Sequence, residues 1–322
     1  MKPEQISDNA EATINEQAVK VRNWGRWGTN DVLGTLNFIT PEKRRNAATL
    51  VKKGISISCA MEFNNRGPQT GLHGRTNPLH TMLLTGLDDQ SKLLPHGVGF
   101  ADDVISMPLQ AGTQWDGLGH CFDHGHAFNG RPMGIVTSFG DQVTGIETAR
   151  SQIVSRGVLL DVGRAYGDEH GELEDGFAIK PEHLNGTIAK QGNITVGTGD
   201  LVLVRTGQMS RCKRLKAWGG YAGGDAPGIS FTSIPWLHEK EIAGIATDTW
   251  GFECRPNEMP DAFQPVHQIV IPNMGLFIGE IWDLDALADS CAEDNVYEFM
   301  LVAAPIPFTG AVGGPVNPIA LK

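Results

Sequence analysis

Apolar residues in this chain cluster in short, β-branched runs bounded by turn residues. Runs at 157–162, 201–205, 243–247 and 299–303 have the length and composition of strands buried in a core. Residues 55–61 alternate in polarity and predict a further strand. Between the runs the signals are helical. Thr40 stands as an N-cap, Pro41 at the first helical position, and Ala47, Ala48, Leu50 and Val51 form an apolar stripe. Lys52 and Lys53 fall in the last turn, and Gly54 marks the stop. Other helices are predicted from Pro181, near 233–235, and over 284–291 before Asn295. Strands and helices are interspersed at irregular spacing, among 40 glycines. That pattern predicts a mixed α/β domain with long functional loops rather than regular βαβ repeats.

Residues 64–78 form one such loop, rich in Gly, Asn and Arg. Residues 219–228 form another. It lacks the lysine of a phosphate loop and has Trp218 and Tyr221 instead, so it reads either as a loop over a pocket or as ordinary surface. No repeat, linker or charge block divides the chain. Residues 1–21 read as a polar, acidic arm and 22–322 as one domain.

Bulk composition narrows the class. With 40% hydrophobic and 20% charged residues the chain is globular. Its net charge of −11 argues against nucleic acid or an anionic membrane as partner, since both require a basic face. No apolar run approaches a membrane span and the first twenty residues lack an apolar signal core, so a cytoplasmic location is expected. The cysteines (Cys59, Cys121, Cys212, Cys254, Cys291) are odd in number and contain no CxxC pair, which supports neither a zinc knuckle nor a disulfide framework. Cys121 alone has chemically interesting neighbours.

Candidate chemistry concentrates in Gly112-Thr113-Gln114-Trp115-Asp116-Gly117-Leu118-Gly119-His120-Cys121-Phe122-Asp123-His124-Gly125-His126. Histidine and carboxylate are what a divalent metal or an acid/base pair needs. A second pair, His267 and Glu280, brackets the apolar stretch 269–278. If the two segments meet, they make a compact ligand set. Positions 110, 114, 116 and 120 are all even, so on an extended segment they face one side. There is no GxSxG, HExxH or GxxxxGK[ST] motif, and no convincing dinucleotide fingerprint. Nucleotide-dependent chemistry and the usual serine-hydrolase scheme are therefore unsupported.

The run 110–120 resembles, without a gap, the HxGTHxDxPxH signature of the cyclase family, which includes bacterial kynurenine formamidases and isatin hydrolase. Gly112 and Thr113 match outright. Asp116 falls on the metal-binding Asp and His120 on the catalytic His; Leu118 replaces the Pro. Downstream, the stretch from Asp200 to Arg205-Thr206-Gly207 resembles the family's strand and RTG-type turn, and Gly244 to Asp248 its GxD segment. His267 and Glu280 resemble the distal ligand pair, and Phe308 to Pro318 the C-terminal end. The resemblance covers 22–322, and its QWD in place of HxD is similar to a longer branch of the family.

It implies an α/β fold of the swivelling β/α type, with a mixed, barrel-like sheet surrounded by helices, and a homodimer or homotetramer. Gln110 and Gln114 stand where the family has metal-binding histidines. Asp116, His120, His267 and Glu280 remain, a set that suits one divalent ion, Zn²⁺ or Mn²⁺. The alternative is a metal-free hydrogen-bonded network of the same residues. The implied activity is metal-dependent hydrolysis of a small, cyclic amide or ester, or an aryl formamide. His120 serves as general base, helped by Glu280 and Asp116. Two other readings stay open: a metal-free cyclase, isomerase or dehydratase, and a catalytically inactive relative that binds a small ligand. Substrate contacts are expected from Gln110, Gln114, His80, Trp115, Trp24 and His124.

Overall fold

Nine strands form one mixed sheet in the computed structural model, which describes residues 3–89 and 94–322. In chain order they are β1 (Ser56–Ser58), β2 (Gln114–Asp116), β3 (Val154–Asp161), β4 (Leu201–Arg205) and β5 (Gly244–Thr247). Then come β6 (Phe277–Glu280), β7 (Glu298–Val302), β8 (Gly313–Pro315) and β9 (Ile319–Leu321). The spatial order is β1-β9-β7-β3-β4-β5-β6-β2-β8. Strands β3 to β6 run parallel to one another, and every other pairing is antiparallel. The parallel centre is the part of the sheet that sequence reads as continuous apolar runs, because such strands are covered on both faces.

Side-chain parity sorts the two faces. Val158, Leu160, Val202, Val204, Ile245 and Ile278 point to one core. Leu159, Leu201, Leu203, Ala246, Phe277 and Phe299 point to the other, with Trp115 and Trp282. Helices cover the first face: α1 (Ala10–Lys20), α4 (Pro181–Lys190), α6 (Ile234–Glu239) and α7 (Pro265–Ile269) all contribute buried residues to it. The remaining α-helices described in full are α2 (Pro41–Ala48), α3 (Val162–Tyr166), α5 (Gln208–Leu215) and α8 (Asp285–Asp294).

The sheet is strongly curled. Pro315 ends β8 at one edge, and Ile319 begins β9 next to the other edge. Chain between them spans at most about 14 Å. In a flat sheet seven strand spacings, roughly 34 Å, would separate those strands. An isolated bridge from Ala60, beyond β1, to Trp282, beyond β6, ties the curl further.

Sequence signals and structure agree on element type and differ at the ends. Thr40 Oγ1 accepts from Lys43 N at 3.1 Å and caps α2, which stops at Ala48 rather than at Gly54. The strand expected over 55–61 is three residues long: Cys59 N still donates to Pro318 O in register, but proline has no N–H to return and the ladder stops there. The helix expected over 284–291 runs on to Asp294 and ends at Asn295 in the left-handed region (φ 56°). Residues 10–20, inside the polar arm, form a helix that buries Ile14 and Ala18 on the core. Among the described residues no helix is long and apolar enough to cross a membrane.

Candidate metal centre and active site

The site lies on the helix-covered face, where β2, β6 and α7 meet. Asp116 pairs with Ile278 and Gln114 with Glu280 in the antiparallel β2–β6 ladder. Gln114, Asp116 and Glu280 share the parity of Ile278, so all three project toward α7, which supplies His267. One ligand atom from each of Asp116, His267 and Glu280 lies within 4.8 Å of the others, and all three residues are buried. Ligand atoms around a first-row divalent ion stand about 2.0–2.2 Å from it, hence roughly 3–4 Å apart. The cluster is within a small adjustment of that spacing.

Hydrogen bonds fix each member. His267 Nε2 meets Glu280 Oε1 at 3.1 Å, and its Nδ1 meets Glu253 Oε1 at 2.6 Å. Glu253 also accepts from the backbone N–H of His267 at 3.0 Å and of Val266 at 3.1 Å. It therefore holds both the ring and the first turn of α7. Gln114 Nε2 donates to Glu280 Oε2 at 2.9 Å and approaches Asp116 Oδ1 at 3.4 Å. Two buried acceptors, Asp116 Oδ2 and Gln114 Oε1, have no hydrogen-bond partner. An unsatisfied buried carboxylate oxygen is costly, and such atoms mark a place where an ion or ligand belongs.

Electrostatics follow from burial. Burial raises the Asp116 carboxyl, and Glu280 adds to the rise, while His120, His267 and Arg75 act against it. Burial disfavours the His267 imidazolium, yet the flanking Glu253 and Glu280 outweigh it and lift the group to about 10. Three carboxylates around one imidazole leave the cluster negative, which favours a divalent cation.

His120 reaches the cluster through the turn 117–120, closed by His120 N to Gly117 O at 3.1 Å. Its Nε2 stands 3.6 Å from Asp116 Oδ1, with the side chain 21% exposed. It is thus the group of the site that also meets solvent. Gln110 leaves the strand parity because the chain turns at 109–110. A Cβ built on Gly313, the cross-strand partner of Asp116, would stand 3.0 Å from Gln110 Nε2. The Gln110 amide therefore lies on the Asp116 face.

Other expected contacts go elsewhere. Trp115 has the opposite parity and is fully buried, its ring edge-on to Trp282 at 5.0 Å and its Nε1 donating to Ala303 O. That placement corrects the expected substrate contact to a core role. Trp24 donates to Pro272 O at 2.7 Å and packs beside His126, on the turn after α7. His124 bonds Glu11 of α1 at 2.8 Å and Asp123 at 2.7 Å. His80 lies on the exposed hairpin Leu79–Leu84 with Asp102–Ser106, paired to Asp103 at 2.9 Å. Burial pushes the Cys121 thiol up to about 12, so it is no ready nucleophile. Asp248 accepts from Thr206 N, Thr206 Oγ1 and Gly207 N, which makes it the anchor of the turn into α5.

Sequence reasoning missed Glu253. It sits in Gly251-Phe252-Glu253-Cys254, which carries no motif, and only the return of α7 brings it under His267.

The family model described as "Putative cyclase" matches residues 43–254. A solved structure described as a novel cyclase is 38% identical, covers 94% of this chain and 100% of its own, and superposes with a TM-score of 0.84. Isatin hydrolase A from Ralstonia solanacearum shares the fold at 15% identity, covering 87% of this chain and 97% of its own, with a TM-score of 0.62. An isatin hydrolase bound to the product analogue thioisatinate does so at 16%, covering 88% and 99%, with a TM-score of 0.60. No curated protein gives a significant match. The family match spans well over half of the chain and the 38% identical relative nearly all of it, on a shared curled mixed sheet, so this chain belongs to the cyclase family.

Proposed function

We propose that this chain is a metal-dependent hydrolase of a small amide or ester, either cyclic (a lactam or lactone) or an aryl formamide. The observation that carries the reading is the buried Asp116–His267–Glu280 cluster beside two unsatisfied acceptors. The fold shared with isatin hydrolases, which act on a cyclic amide, supports the choice of bond.

Asp116, His267 and Glu280 would hold the ion, with the Gln114 carbonyl oxygen beside them. One nitrogen and hard oxygen donors suit Zn²⁺ or Mn²⁺. When bound, the ion polarises the scissile carbonyl and makes water a stronger nucleophile. The chain's own residues do the rest. His120, at the solvent side of Asp116, takes the proton of the attacking water and returns it to the leaving nitrogen or oxygen. Glu253 keeps the His267 ring in place, because its Nδ1 proton is committed to that carboxylate. Gln114 pins Glu280 through its amide N–H.

A metal-free acid/base site is the second reading. Its support is that His267 Nε2 and Gln114 Nε2 each engage one oxygen of Glu280, so both oxygens of that carboxylate are satisfied without an ion.

Elemental analysis of protein purified without chelator, combined with hydrolysis of isatin, a lactone and formanilide, separates the two. The expected result is about one divalent ion per chain and activity lost on chelation. Full activity of metal-free protein would overturn the metal reading. His120→Asn is expected to fold and keep its ion while losing about 10²–10⁴-fold in rate.

A further inference from the structure

The chain is acid-rich, with 37 carboxylate against 26 basic side chains, and most of its buried or half-buried arginines are engaged. Arg205 is bound by Asp161 and Asp285, Arg156 by Asp200 and Glu298, and Arg211 by Asp175. Arg75 is different. It is half-buried, yet among the described residues its guanidinium has no carboxylate and no hydrogen-bond acceptor. Its nitrogens are not among the buried unpartnered atoms, so the group stays open to solvent and to an incoming anion, although an acid-rich chain has many carboxylates that could have neutralised it.

The backbone that carries Arg75 is fixed. Gly71 N donates to Arg75 O and Arg75 N to Leu72 O, both at 3.0 Å, which closes residues 71–75 into a tight turn. The guanidinium carbon lies 5.3 Å from the centre of the Trp250 ring, within cation–π range. Trp250 is itself buried, in a cluster with Tyr221, Met209 and Ile281, the residue that follows Glu280. Its Nε1 donates to Gln69 Oε1 at 3.3 Å, and Gln69 Nε2 donates to Ala111 O at 2.9 Å, at the start of the segment that carries Asp116. Arg75 thus stands over an aromatic floor that leads to the carboxylate cluster.

A second cation lies along the same rim. Arg255 packs over Phe263 at 5.7 Å, and Phe263 meets the ring of His73, two residues before Arg75, at 6.4 Å. Its guanidinium, too, has no acceptor among the described residues. The metal cluster is negative before an ion binds, so it repels anions. The rim has the opposite sign.

We propose that Arg75 receives a carboxylate of the substrate, on the aromatic floor of Trp250, so that the enzyme acts on small acids rather than on neutral amides or esters. The position of the reacting bond, over Asp116–His267–Glu280, rests on the hydrolase reading above. The preference for an acid does not depend on turnover. A guanidinium and a carboxylate make a charge-assisted, bidentate pair that a neutral isostere cannot replace.

The test is calorimetric titration of the metal-loaded protein with 2-acetamidobenzoate and with acetanilide, which share ring and amide and differ in the carboxylate. The wild type is expected to bind the acid roughly 10- to 100-fold more tightly. Arg75→Gln should bring the two affinities together while leaving the neutral probe unchanged, and Arg75→Lys should keep part of the preference. Equal binding of both probes by the wild type, or no binding of the acid, would overturn the proposal. So would an Arg75→Gln variant that retains the preference or loses both probes alike. A protein that prefers the acid but hydrolyses neither 2-acetamidobenzoate nor any member of the isatin, lactone and formanilide panel would defeat the hydrolase reading and leave this assignment standing.

Discussion

His267 shows how far a single residue's chemistry depends on its neighbours. Burial alone would keep its ring neutral, but Glu253 on one nitrogen and Glu280 on the other lift it to about 10. Without an ion, then, Nε2 carries a proton at neutral pH. Ligation through Nε2 requires that proton to leave, while the Nδ1 proton stays with Glu253. Metal affinity should therefore rise with pH, by up to about tenfold per unit, until the pH passes about 10. Calorimetry in two buffers of different ionisation enthalpy counts the protons released, and about one from His267 is expected on binding. No release at pH 7 would show that Nε2 is not a ligand. The same scale separates His120 from His124. His120 faces Asp116 across 3.6 Å, whereas His124 is raised by its bond to Glu11 and then by Asp123, so it works as a tie between α1 and the loop.

At the scale of elements, the parity of β2 decides which of its residues meet chemistry. Gln114 and Asp116 face α7, and Trp115 between them faces the opposite core. A slip of one residue would exchange the two sets, so the β2–β6 register is itself part of the site. Strand β3 carries a comparable constraint. A Cβ built on Gly157 would meet Phe299 Cε2 at 2.3 Å, because Gly157 and Phe299 are direct cross-strand partners. Gly157→Ala is expected to destabilise the protein by about 1–3 kcal/mol, read as a lower thermal midpoint. Adding Phe299→Leu should return part of the loss. A single variant as stable as the parent would show that Phe299 moves freely.

Across the whole molecule, the curl of the sheet places β8 beside β2 while β9 closes on β1 and β7. The ligands come from three separate parts of the chain, at 116, 267 and 280, and only the folded state assembles them. An ion bound there stabilises the native state alone. At a free concentration of 100 times its Kd the gain is about 2.7 kcal/mol. Thermal melts with added Zn²⁺ or Mn²⁺ and with chelator should therefore differ by a few degrees. Coincident melts would count against a resident ion.

Much of this was legible in the sequence for local reasons. The β-branched runs of β3 to β5, the Thr40–Pro41 helix start and the Asn295 stop are set by residues within a few positions, so pattern alone locates them. The resemblance of 110–120 to the family signature pointed to Asp116, and the distal pair to His267 and Glu280. What only the tertiary structure decided is everything that depends on contact between distant segments. Glu253 has no local signal, and it becomes the partner of His267 because α7 folds back over it. Trp115 reads as a pocket aromatic beside Asp116, but strand alternation and Trp282 commit it to the core. Arg75 is an ordinary loop arginine until Trp250 is beneath it. Local sequence determines which elements form; which side chains share a space is settled by the pairing of strands hundreds of residues apart.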